Sequence, residues 1–252
     1  MSERQASPAS RDLPVPERAL AVGAHPDDIE FGAGATLARW ASAGCEVSFA
    51  ICTDGSKGTW DPDVDVATLV ATRQTEAQAA AKALGATGEV VHLGRIDGEL
   101  VDDRETESDL ARWIRTLRPD VLLGHDPWKR YRLHPDHRAA GFLTIGALVA
   151  ARDPHFFREH GLPPHRPGDL LLFEADEPDH AELADEPWLA AKIAALEAHE
   201  SQLESTMFIT AEDAGAERTR FHHRIRTELE EAAEWADIDG LAEVFKRLPT
   251  DR

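Results

Sequence analysis

Five short apolar runs, at residues 19–24, 46–53, 89–93, 120–124 and 169–174, alternate with helical patterns at 32–42, 66–84, 105–117 and 135–151. No other feature narrows the fold as far. Short continuous apolar runs read as strands buried on both faces, and the helices between them supply the crossovers that parallel strands require. The second helical stretch is the clearest: Leu69, Arg73, Glu76, Ala80 and Leu84 fall at helical spacing, and Gly85 supplies the stop. The pattern predicts an α/β fold, a sandwich built on a mostly parallel sheet. Beyond the fifth run the sequence reads as helical, at 187–203, 216–235 and 239–248. Residues 1–18 read as a flexible N-terminal tail, and 19–252 as a single domain with a helical C-terminal part.

Charge removes whole classes of function. The 252 residues carry 27 Lys and Arg against 47 Asp and Glu, a net charge of −20, which excludes binding of nucleic acid or anionic membrane through a basic face. Apolar runs such as 19–24 and 121–123 are far too short to cross a bilayer, and the first 18 residues hold no signal-peptide core. The only two cysteines, Cys45 and Cys52, lie in or beside one apolar segment, which points to a reducing cytoplasm.

In an open α/β sheet, ligands gather at the carboxyl ends of the strands. The segments after the predicted strands are His25-Pro-Asp-Asp28, Thr53-Asp-Gly-Ser-Lys-Gly58, Gly94-Arg-Ile-Asp-Gly98 and Gly124-His-Asp-Pro-Trp128, and they carry most of the reactive side chains. The first motif nearly repeats as His134-Pro-Asp-His137. Helix capping explains aspartates in a first turn, but not the three histidines, which are misplaced there when protonated. A metal explains all of them. Histidine and carboxylate are ligands zinc accepts, and a catalytic zinc keeps three protein ligands and one open position. His25 and Asp28 are three apart, on one side of a first helical turn, and His137 completes the set. That leaves Asp27 as a carboxylate base, His134 as an imidazole, and Asp136 to orient it.

These motifs resemble those of the LmbE-like (PIG-L) zinc-dependent N-acetylglucosaminyl deacetylases, among them the deacetylases of mycothiol and bacillithiol biosynthesis. Ala24–Glu30 with Gly32–Thr36 matches the family's first motif, and His134–His137 the second. Thr53–Thr59, Arg73–Glu76 with Leu84-Gly85, and Lys192–Gln202 look like further family segments, so the resemblance covers roughly residues 19–205. Two positions depart: Ser56 stands where the family usually has Glu, and Glu200 where it usually has Arg. The resemblance implies a Rossmann-like three-layer sandwich and hydrolysis of an acyl group from an N-acetylglucosaminyl-type conjugate. It implies zinc on His25, Asp28 and His137, with Asp27 the general base. His134 would stabilise the oxyanion or protonate the amine, oriented by Asp136. The expected partner is a small amino-sugar substrate, and the expected assembly a dimer or hexamer.

Other positions carry weaker expectations. Asp97 is expected to bind sugar hydroxyls, Arg73 and Arg95 to contact a polar aglycone or make surface pairs, and Tyr131, with Trp60 and Trp128, to stack on a sugar. His125 is expected near the site in a structural hydrogen bond, and His199 as a satisfied, partly buried histidine. Two rivals keep part of the pattern. A nucleotide-binding oxidoreductase needs its glycines in the strand-to-helix turn, but Gly32 and Gly34 come too late and the turn is filled by acidic residues. Two histidines and a carboxylate also suit iron(II), so Fe2+ fits the same ligands as Zn2+; a base such as Asp27 favours hydrolysis.

Overall fold

The computed structural model describes residues 10–250. In chain order its elements are β1 (Ser10–Arg11), β2 (Arg18–Gly23), α1 (Asp28–Ser42), β3 (Glu46–Thr53), α2 (Val66–Ala83), β4 (Val90–Arg95), α3 (Arg104–Leu117) and β5 (Val121–His125). There follow α4 (Pro135–Arg152), β6 (Asp169–Phe173), β7 (His180–Ala184), α5 (Glu186–Glu197), a short 3-10 turn (Glu200–Gln202), α6 (Ala214–Ala236) and β8 (Leu241–Pro249). The eight strands form one sheet in the order β1-β7-β8-β6-β5-β2-β3-β4, parallel throughout except for β8.

Alternation along the central strands divides the core in two. Ala19, Ala21, Val47, Phe49, Ile51, Leu123 and Leu171 point to the face covered by α1, α2 and α5. Leu20, Val22, Ala50, Cys52, Leu122, Leu170 and Leu172 point to the face covered by α3 and α4. This is the three-layer sandwich that the sequence predicts. The chain runs from β2 outward to β3 and β4 on one side, and through β5 and β6 on the other. The crevice where the direction reverses, between β2 and β5, is where such sheets hold ligands.

Three parts of the sequence reading are corrected. Residues 239–248, expected to be helical, form β8, antiparallel between β6 and β7. Leu241, Val244, Phe245 and Leu248 do fall at helical spacing, but the slot between two strands satisfies the backbone of an extended segment on both sides. Strand β7, with no β-branched residue, gives no signal in the sequence. The tail expectation fails for residues 10–17: Ser10 and Arg11 pair with His180 and Ala181, and Leu13 is buried with its N–H donated to Glu182 at 2.9 Å. The part of that tail at residues 1–9 lies outside the described residues.

Candidate active site

Both His-Pro-Asp segments leave strands at the switch point, one after β2 and the other after the loop that follows β5. Asp27 caps α1 from the left-handed region, φ 104°. That backbone turn lets Asp28 enter the first turn, where its Oδ2 accepts the His25 N–H at 2.7 Å. His25 Nδ1 lies 3.3 Å from Asp28 Oδ2, and His137 Nε2 lies 3.2 Å from Asp28 Oδ1, so one carboxylate bridges the two segments. His25 Nε2 meets a second carboxylate layer, 3.2 Å from both Asp97 Oδ1 and Asp136 Oδ2. The His25 ring is 4.5 Å from that of His134 and 5.2 Å from that of His137.

Electrostatics make this cradle cation-seeking. Asp27, Asp28, Asp97 and Asp136 are all buried. Burial opposes charge on His25, but Asp28, Asp136 and Asp97 outweigh it and push the imidazole up to about 12. Burial likewise raises Asp28, yet His137, His125 and His25 drive it well below the usual carboxylate range. Asp27 differs. Burial pushes it up to about 6, with Arg73 pulling down and Asp28 pushing up. His134 is lowered by burial and by its neighbours His25 and His137.

The donor set fits a metal ion. Single ligand atoms from His25, His134 and His137 lie within 4.8 Å of one another, as do those of Asp28, His125 and His137, and those of His25, Asp97, His134 and Asp136. The expected ligands His25, Asp28 and His137 are thus joined pairwise through Asp28 and spread over overlapping clusters that share His137 or His25. Neutral imidazoles and carboxylates at this spacing suit a divalent cation of zinc or iron type.

Residues 20–148 match the family model PIG-L, described as GlcNAc-PI de-N-acetylase. The chain belongs to the PIG-L family. It is 35% identical to the diacetylchitobiose deacetylase of Thermococcus kodakarensis over 190 residues, 74% of this chain and 70% of that one. It is 36% identical to the 1D-myo-inositol 2-acetamido-2-deoxy-alpha-D-glucopyranoside deacetylase of Streptomyces avermitilis, over 61% of this chain and 60% of that one. The structure of N,N'-diacetylchitobiose deacetylase from Pyrococcus horikoshii superposes with a TM-score of 0.82 at 28% identity, covering 93% of this chain and 84% of that one.

Within this PIG-L chain the remaining sequence expectations divide. Asp97 lies in the site, where its Oδ2 accepts the Lys57 N–H at 3.0 Å. Asp136 bonds to His134 through its backbone rather than its carboxylate. Its carboxylate accepts the N–H groups of Gly98 at 2.6 Å and Leu100 at 3.2 Å and faces His25, while the Asp136 N–H donates to His134 Nδ1 at 3.3 Å. Arg73 is neither a surface residue nor turned to an aglycone: at 2% exposure it donates to the Pro26 and Gly55 carbonyls and lies against Asp27. Gly55 stands at φ +67°, and a Cβ there would come within 2.6 Å of the Arg73 guanidinium. Arg95 points away, bonded to Thr106 at 2.8 Å and Asp109 at 2.7 Å on α3. Tyr131 is 87% exposed and Trp60 and Trp128 are exposed, all in loops flanking the site.

His199 is fully buried, 3.2 Å from Glu30. It begins the turn whose Gln202 donates to the Gly58 carbonyl at 2.8 Å, tying the loop after β3 to the C-terminal half. Sequence reasoning missed Glu30, Arg132 and Glu174. Its place at the carboxyl end of the predicted strand 169–174 is the one available signal for Glu174.

Proposed function

We propose that this chain is a metal-dependent N-deacetylase that removes the acetyl group from an N-acetylglucosaminyl-type amino-sugar conjugate, with zinc on His25, Asp28 and His137. One observation carries the reading: Asp28 bridges His25 and His137 from two segments more than a hundred residues apart, and Asp27 stands beside it as a buried carboxylate outside that set. A zinc ion held by these residues would supply Lewis acidity and lower the pKa of a water from about 16 to about 7.

The side chains do the rest. Asp27, raised to about 6 by burial yet ionised at neutral pH, takes a proton from the attacking water. Arg73 holds that carboxylate at 3.3 Å. His134 accepts the Asp136 N–H at Nδ1, which leaves the ring proton on Nε2. That N–H is a neutral hydrogen-bond donor for the developing oxyanion, and the proton held on Asp27 passes to the amine as the C–N bond breaks. Asp97 and Asp136 fix His25, and Asp97 stands ready for sugar hydroxyls. Tyr131 at the rim offers an aromatic face to the substrate.

The same ligands accept iron(II), and metal analysis after anaerobic purification separates the two. The two unpaired cysteines, both buried, support a reducing cytoplasm. Among the described residues no helix is long and apolar enough to cross a membrane. The test is acetate release across a panel of N-acetylglucosaminyl conjugates, with and without chelator. Release that chelator abolishes and zinc restores is the expected result; no release from any member overturns the assignment.

A further inference from the structure

We propose that Glu174 and His125 are positioning residues that hold the Asp28 carboxylate for the metal, and that Glu174 also neutralises a buried cation, Arg132, lodged against His137. The inference rests on the reading of His25, Asp28 and His137 as metal ligands.

Strands β5 and β6 are parallel neighbours, with His125 opposite Phe173 in register. Glu174 is the next residue, and it leaves β6 in the left-handed region at φ 56°. A non-glycine residue held there is strained, and such residues cluster at functional sites. The turn brings its carboxylate Oε2 to 3.2 Å from His125 Nδ1. The other ring nitrogen, Nε2, lies 3.1 Å from Asp28 Oδ2. The imidazole is 1% exposed and stacks on the His137 ring at 4.4 Å. The result is a carboxylate–imidazole–carboxylate chain that ends on the oxygen pair bridging the two His-Pro-Asp segments.

Arg132 gives Glu174 its second task. Its side chain is 4% exposed, and its Nη1 donates to Glu174 Oε2 at 2.6 Å. The same nitrogen lies 3.1 Å from His137 Nδ1. Its Nε and Nη2 are buried and have no partner among the described residues. A guanidinium keeps its charge at any working pH. Glu174 is its one ion-pair partner among the described residues, and without it an unbalanced cation sits beside an expected ligand of another cation. Charged groups around a metal site act on affinity in this way, and loss of outer partners typically weakens binding 10–100-fold.

The experiment measures zinc affinity of the full chain by competition with a chromophoric chelator, alongside the melting temperature of the metal-free protein. Glu174→Ala is expected to weaken zinc binding by about 10–100-fold. Adding Arg132→Met to Glu174→Ala is expected to recover part of that loss, because the unbalanced charge goes with it. A purely structural Glu174 would not give that recovery. If Glu174→Ala fails to fold, the isosteric Glu174→Gln decides by the same affinity measurement. Zinc affinity within twofold of the unmodified chain, or a double variant no better than the single one, overturns the proposal. An unmodified chain that binds no zinc overturns the metal reading itself, a different failure.

Discussion

Arg73 holds Asp27 from behind: its Nη2 lies 3.3 Å from the Asp27 carboxylate and donates to the Pro26 carbonyl at 2.6 Å. One buried guanidinium thus fixes both the acid and the bend that presents it. Arg73→Lys keeps the charge but loses the fork that spans Pro26, Gly55 and Asp27. Arg73 lowers the Asp27 pKa against the lift from burial. Weakening that contact raises Asp27 further, so with Asp27 as the proposed base activity is lost at higher pH as the medium is acidified. The acid limb of kcat/KM is expected to move upward in the variant; a profile unmoved from that of the unmodified chain rules the contact out as a tuning device.

Asp27 adopts φ 104°, a conformation that asparagine tolerates better than other uncharged side chains. Asp27→Asn therefore keeps the turn and removes the proposed base. Acetate release is expected to fall by about 10²–10⁴-fold while metal content per chain stays unchanged. His25→Ala is expected to lose metal. The opposite pattern in metal analysis would exchange the two roles.

Removing the metal should also loosen the fold, because an ion that binds only the native state adds stability by mass action. At free zinc a hundredfold above its dissociation constant the gain is about 2.7 kcal/mol. Thermal melts with and without dipicolinate measure it, and coincident melts would show that no ion was bound.

Phe245 is fully buried on β8, opposite Phe173 on one side and His180 on the other. Phe245→Ala is expected to cost about 3–5 kcal/mol of stability, read by urea denaturation. A cost below 1 kcal/mol would mean that this strand is not packed as described.

The sheet's parallel half, α1 to α4 and the convergence of the two His-Pro-Asp segments are legible in the sequence because each depends on local periodicity or on residues directly after a strand. The part of Arg73 is not. Its helical spacing is visible, but its partner lies 46 residues earlier and is brought near only by packing. Asp136 illustrates the same limit. Its nearness to His134 in sequence suggests a pair, whereas its side chain turns to His25 and the loop after β4. Strand β8 fails for another reason, since Leu241, Val244, Phe245 and Leu248 satisfy a helical pattern and only an open slot between β6 and β7 decides.

That late strand sets a timetable for synthesis. Every residue of the cradle, from His25 to Glu174, leaves the ribosome before residue 241, yet β6 has no partner on its outer side, and β7 with β1 no attachment to the sheet, until β8 slides between them. A nascent chain halted short of that point would carry its whole reactive edge beside an unprotected strand, prone to pairing with another such chain.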